Sequence, residues 1–163
     1  MKSHRSWILP IAVVALALGS AGAQVLTGDA LKKVVPTTYF FAGQTAPVQA
    51  RNSVAFKNSA GKTVLAGLVD ASGYSTAIQE RYQGFLITET KLTFDGATLE
   101  PGAYGFGVRE DKFTVMNVAS TDLFSIASKN DADLKRPVPL KIEPDGASYR
   151  LYAGRKYVVL KAD

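Results

Sequence analysis

Seven polar and aromatic side chains are the ones in this sequence best suited to hold a ligand: Arg51, Asn52, Tyr74, Arg81, Tyr82, Lys135 and Arg136. They fall in stretches whose composition suggests connecting segments, and binding groups concentrate on loops carried by a rigid scaffold. A guanidinium presents forked donors to carboxylates, sugars or peptide ends, and a neighbouring phenol adds a flat face with a polar tip. The same residues have a plainer use, in which Tyr74 and Tyr82 close the end of a core and the cations are solvated. The choice between the two depends on whether the segments meet in space.

Acid chemistry has fewer footholds. A glycan hydrolase works with two carboxyl groups roughly 5 to 9.5 Å apart, and Asp70, Glu80, Glu89 and Asp131 are the acids it would draw on. Their spacing marks no pair, Glu89 reads as a solvent-facing strand residue, and no catalytic residue is assigned. Other chemistries are excluded by composition. The chain has no cysteine, and its single histidine and single tryptophan, His4 and Trp7, lie in an N-terminal apolar leader. Without them there is no histidine-based triad, no thiolate nucleophile, no disulfide, and no zinc or copper site of the usual nitrogen and sulfur ligands. In "KNDADL", Asn130, Asp131 and Asp133 have the alternate spacing that opens a calcium loop, but the later glycine and closing glutamate are missing. A solvated turn is expected there, with no metal and no cofactor.

Two glycine motifs resemble phosphate cradles and fail the context test. "SAGKT" (residues 59–63) lacks the first P-loop glycine, since position 56 is Phe56, and a strand-like run follows it instead of a helix. Gly102, Gly105 and Gly107 stand in the order G-x-x-G-x-G, which is not the dinucleotide order, and a second hairpin follows them. They predict a strand with one bare face, entered by a type II turn at Pro101-Gly102 with Gly102 at positive φ. The bare face suits either close packing of another element or the wall of an apolar cavity.

The elements that must position these residues are mostly strands. The leader has the order of an export signal: Lys2 and Arg5, then the apolar "WILPIAVVALAL", then Ala21-Gly22-Ala23. Residues 1–23 are expected to be a cleavable signal peptide, leaving residues 24–163 as a single exported β-domain, periplasmic or secreted, with no membrane span after cleavage. The leader holds two of the 19 basic residues and none of the 14 acidic ones, so the mature charge is near +3. The basic residues form no long run, which argues against a nucleic-acid partner. A short helix is expected first, with Thr27 as cap, Leu31, Val34 and Val35 on one face and Pro36 at its end; a sheet edge or an open end of the core is its expected dock. Hairpins follow at "NSAG" (residues 58–61), Asp95-Gly96, Glu110-Asp111 and "PDGA" (residues 144–147). "TAIQERYQ" reads as one or two helical turns, and "FLITETKLTF" (residues 85–94) as one alternating strand. The sum is an all-β antiparallel sandwich or flattened barrel of about nine strands with a short N-terminal helix.

Leu99-Glu100-Pro101-Gly102-Ala103-Tyr104 is an L-x-x-G-x-Y motif. With the segment to Leu160 it resembles the exported bacterial β-domains of unknown function in which this motif opens a strand and a hairpin follows. The resemblance implies the fold and the compartment and carries no mechanism. The function expected from the whole is a non-enzymatic cell-envelope interaction module that binds a protein, peptide or glycan partner through loops. One alternative is a lipocalin-like carrier of a small apolar ligand, and a second is a carboxylate-dependent glycan hydrolase. Intact mass of the chain released from the periplasm tests the leader: the expected species begins at Gln24, and an uncleaved mass removes the signal peptide.

Overall fold

The structure is a computed structural model describing residues 23–163, so the expected signal peptide lies, but for Ala23, outside the described residues. Among the described residues the first seven strands are β1 (Gln24–Leu26), β2 (Thr38–Phe41), β3 (Gln44–Lys57), β4 (Thr63–Val69), β5 (Gly84–Thr88), β6 (Leu92–Phe94) and β7 (Ala97–Leu99). The next seven are β8 (Gly102–Arg109), β9 (Lys112–Met116), β10 (Asp122–Ala127), β11 (Lys129–Asn130), β12 (Val138–Asp145), β13 (Ser148–Gly154) and β14 (Lys156–Ala162). They form two antiparallel sheets, neither closed into a barrel, so of the two expected architectures the sandwich is the one present. The first sheet runs β1-β3-β4-β5-β8-β9-β10 with β2 also on β3, and the second runs β12-β13-β14-β6-β7 with β11 on β14. There are more strands than the expected nine because several pieces of two to four residues carry no alternation of their own.

The hairpins sit where turn chemistry put them. Glu110 and Asp111 both have positive φ, 48° and 66°, which is the primed turn that matches strand twist. At the β3–β4 tip Gly61 takes the positive φ, 76°, and the buried Asn58 ties the turn together: its Oδ1 accepts from the N–H groups of Ala60 and Lys62, and its Nδ2 donates to the Asp163 carbonyl at 2.7 Å. Two local expectations are corrected. Residues 85–94 are not one strand: the chain leaves the first sheet after Thr88 and enters the second at Leu92. Thr88 holds this corner, its Oγ1 donating to the Thr90 carbonyl at 2.6 Å and accepting the Thr90 N–H at 3.2 Å. Gly102 is not at positive φ; it is already paired with Thr88 as the first residue of β8.

The central strands of the first sheet are buried on both faces. Val64, Ala66, Leu86, Phe106 and Val115 point to the second sheet and pack with Leu151, Val158 and Leu160. Leu65, Val69, Phe85 and Met116 point the other way, into a second cluster closed by Tyr39, Phe41, Tyr74 and Tyr82. A strand apolar on both faces reads as a continuous run, which is why "TVLAGLV" does not alternate. The outer layer consists of β2, helix α1 (Gly28–Val34), a 3₁₀ turn at Ala71–Gly73 and helix α2 (Thr76–Gln79). Leu31, Val34 and Val35 of the first helix pack on this cluster, so its dock is a sheet face and not the edge or open end expected. A seven-residue helix is marginal alone, and here it is held by what it covers.

The bare face of β8 turns out to be a seat. A Cβ at Gly105 would come within 2.3 Å of the Phe41 ring, and one at Gly107 within 1.9 Å of the Arg81 carbonyl oxygen. Gly107→Ala is therefore expected to cost at least ~2 kcal/mol, because a backbone carbonyl cannot rotate away. Gly73→Ala, with open space around it and no positive φ, serves as the control. Urea midpoints of the two variants check this, and equal midpoints would refute the packing.

Candidate functional site

The seven predicted site residues separate into two groups. Tyr74 and Tyr82 are inside the outer layer. The Tyr82 ring is 1% exposed, lies parallel to Phe41 at 3.9 Å between centroids, and meets the Tyr74 ring edge-on at 5.4 Å. Burial, with lesser contributions from the Tyr74 and Tyr39 phenols, pushes the Tyr82 phenol far above its ordinary range. Its hydroxyl is buried without a hydrogen-bond partner, whereas Tyr74 Oη donates to the Gln44 carbonyl at 3.1 Å. The cations stay outside. Arg81 pairs with Asp122, Arg51 is exposed, and Lys135 and Arg136 are exposed in the segment between β11 and β12. Arg51 and Asn52 belong to no loop: they sit within β3, in the irregular stretch where its register to β4 shifts between Val48 and Ser53. Asn52 Nδ2 donates to Gln49 Oε1 at 2.8 Å. The structure thus brings Tyr74 and Tyr82 together as packing and does not gather the arginines around them.

A different set of side chains forms a concavity. An open cleft of ≈ 410 Å³ lies at one end of the sandwich, with Leu68, Tyr82, Pro139 and Ala153 among its apolar lining and Gln49, Ser72, Gln79 and Gln83 as its polar groups. Among the described residues no charged side chain lines it. The bulged stretch of β3 supplies Gln49, whose Nε2 donates to the Val69 carbonyl at 3.0 Å. Gln79, on the second helix, donates to the carbonyls of Tyr74 at 2.7 Å and Ser72 at 3.3 Å. Gln83 imitates a strand: its Nε2 donates to the Val108 carbonyl and its Oε1 accepts the Val108 N–H, at 3.1 and 3.0 Å. Each amide is held by the backbone and keeps unused capacity, an acceptor on Gln79 and a donor hydrogen on Gln49 and Gln83. Asp70 caps the 3₁₀ turn beside the cleft, accepting from the Ser72 N–H at 3.0 Å, and hydrogen bonds from Ser72 hold its carboxyl below the ordinary value. Sequence reasoning missed this set because three glutamines spread over 35 positions carry no spacing signal.

The acids named as hydrolase candidates have separate structural duties. Glu80 lies 3.6 Å from Arg109. Glu89 accepts the Thr63 N–H at 2.7 Å, and that bond, ahead of nearby Lys62 and Lys57, holds its carboxyl below the usual value. Asp131 accepts the N–H groups of Asp133 and Leu134 through one oxygen and the Tyr152 hydroxyl at 3.0 Å through the other. Its segment, the one with calcium-like spacing, is a side-chain-capped turn. Among the described residues no group of three His, Cys, Asp or Glu side chains gathers as a metal site would require. Two spaces against the inter-sheet core, one beside Phe106 and Leu151 and one beside Phe56 and Ile142, measure ≈ 10 Å³ each. Among the described residues no helix is long and apolar enough to cross a membrane.

No protein-family model, curated protein or solved structure matches the chain. The tyrosine pair separates packing from recognition by its stability effect. Tyr82→Phe removes an unpartnered buried hydroxyl and is expected to leave stability unchanged or raise it by up to about 1 kcal/mol. Tyr82→Ala opens a cavity against Phe41 and is expected to cost about 3 to 5 kcal/mol. Thermal melts of both variants check the pair, and a harmless Tyr82→Ala would remove Tyr82 from the core.

Proposed function

We propose that the chain is an exported cell-envelope interaction module whose cleft binds a neutral, hydrogen-bonding ligand, a glycan or an uncharged peptide segment of an envelope partner. The observation that carries this reading is the combination of an apolar floor with three backbone-anchored glutamines and no charge. Ligand sites of this size range are mostly apolar with a few well-placed polar groups, and amides offer both a donor and an acceptor at no cost in charge desolvation. Anchoring lowers the entropy lost on binding, because the amides are already held. The reading revises the expected recognition chemistry from cations beside phenols to neutral amides.

The carrier reading receives less support. Spaces of ≈ 10 Å³ hold about one water molecule, and an apolar cargo needs an enclosed chamber many times larger. The hydrolase reading needs two acids free to face one bond, and Asp70, Glu80, Glu89 and Asp131 are each engaged with separate partners.

Binding of the purified chain to arrays of neutral oligosaccharides and of uncharged peptides tests the proposal. Ser72→Trp places a large ring at the cleft wall and is expected to reduce binding at least tenfold, about 1.4 kcal/mol. Ser59→Trp, at the opposite end of the β3–β4 hairpin, is expected to leave it unchanged. Preference for charged probes, or binding indifferent to Ser72→Trp, would sink the assignment to this cleft.

A further inference from the structure

Sheet edges present unpaired N–H and C=O groups, and natural proteins blunt them with short strands, charges, prolines or covering segments. The edges of this sandwich follow that rule with one exception. β1, β2, β7 and β11 are two to four residues long, and β12 carries Pro139 and Pro144 together with a Lys141–Glu143 ion pair. β10 has six residues, "DLFSIA", with no proline, no glycine and no cation, and its one acid stands at the first position. Among the described residues it pairs with β9 alone and forms the end of the first sheet.

The hydrogen-bonding phase of this edge follows from its neighbour. Ser128 N–H donates to the Asp111 carbonyl at 2.7 Å, and bonded and non-bonded pairs alternate along an antiparallel ladder. Ile126 and Phe124 therefore exchange bonds with Phe113 and Val115 of β9, their register partners. Ser125 and Ala127 direct their N–H and C=O groups outward. On one face Phe124 and Ile126 pack, half-buried, at the margin of the inter-sheet core, with the Phe124 ring 5.4 Å from that of Phe94. On the other face Ser125 and Ala127 are exposed, and Leu123, in the irregular step before Phe124, is 46% exposed.

We propose that this edge is a self-association surface, where β10 pairs antiparallel with β10 of a second copy across a twofold axis through Ser125. The strand is self-complementary in a way that selects this occupant. Directly opposed residues in an antiparallel pair share a sheet face, so a twofold axis normal to the sheet sets one residue against its own copy, either as a bonded pair or as a non-bonded pair whose neighbours exchange the bonds. Ser125, with outward main-chain groups, gives a bonded centre; a non-bonded centre at Ile126 would oppose Phe124 to Ser128, and one at Phe124 would set Ile126 against the irregular step at Asp122 and Leu123. Centring on Ser125 sets Phe124 against Ile126 of the second copy in both halves, which continues the apolar margin of one core into the other. Centring on Ala127 would instead oppose Phe124 to Asn130. The interface is isologous and closes as a dimer, leaving no further edge of this kind to propagate.

Sedimentation velocity over a concentration series, on the chain from Gln24, tests the proposal with Ser125→Lys and Ser125→Thr beside the wild type. The wild type is expected to be a dimer that dissociates on dilution. Ser125→Lys sets two like charges in direct opposition and is expected to weaken the dimer at least roughly tenfold, while Ser125→Thr preserves it. The Ser125 side chain is exposed and its hydrogen bond is to the Thr114 hydroxyl at 2.8 Å, so the melting temperature of dilute Ser125→Lys should match that of the dilute wild type. Because the chain has no cysteine, Ser125→Cys adds a register test: a short bismaleimide should link two chains through the introduced thiols, and Ser59→Cys should give no such product. A monomer at every concentration, a dimer indifferent to Ser125→Lys, or equal cross-linking from both cysteine variants would overturn the proposal.

Discussion

The structure rests on the close approach of the outer layer to the backbone of β8. Gly105 and Gly107 leave no side chain between that backbone and its cover, so the Phe41 ring and the Arg81 carbonyl come down onto the strand itself. Glycine weakens a strand intrinsically. Here the loss is offset by the aromatic surface it admits, since Phe41, Tyr82 and Phe85 are all at most 1% exposed, and full burial of such a ring contributes on the order of 1.5 to 3 kcal/mol. The contact also anchors β2: its turn at Ala42-Gly43, both at positive φ, donates the Ala42 N–H to the Val118 carbonyl at 2.8 Å, across the sheet from β3.

From this seat the other features follow. A first sheet whose central strands are covered on both faces gives the molecule three layers of packing from 141 described residues, 23–163. The outer layer has to be made of short pieces, because each covers only a few residues of sheet. Its segments between Val69 and Gly84 then define a wall, and the amides that tie this wall to neighbouring carbonyls are the polar groups of the cleft. The neutrality of the cleft has a packing origin. Side chains that satisfy buried or half-buried carbonyls must donate without bringing an unpaired charge, and glutamine does so while leaving an acceptor on Gln79 and a donor hydrogen on Gln49 and Gln83 for solvent or ligand.

The two surfaces read as functional differ in their physics. In the proposed roles, the cleft would recognise through side chains fixed in place by backbone hydrogen bonds and would select donors and acceptors without charge. The β10 edge would recognise through main-chain groups, with side chains setting only the register. Of the cations at the surface, Arg81 pairs with Asp122 at the start of β10, and Arg155 donates to the carbonyls of Leu134 and Ala132, bracing the turn that leads to Lys135.

What the sequence determined by itself was everything encoded over a few residues. The all-β class, the hairpins at residues 58–61, Glu110-Asp111 and 144–147, and the helix ending before Pro36 were legible because turn residues and two-residue alternation act locally. The corner at Thr88–Thr90 was not, since alternation runs on unbroken from Leu86 to Phe94 while the chain changes sheets. Alternation records that a face is buried and is silent on what buries it. The bare face of β8 was therefore visible as a pattern, but its cover, Phe41 from more than sixty residues upstream, was a matter of tertiary structure alone. Tyr82 shows the same limit in one residue: beside Arg81 and Gln83 its phenol suggested a binding tip, and only the fold turned the ring inward against Phe41 while its neighbours remained at the surface. The cleft glutamines left no trace in the sequence, because their common location depends on two separate chain segments converging, β3 with Gln49 and the stretch before β5 with Gln79 and Gln83, and convergence is a property of packing that no local interaction specifies.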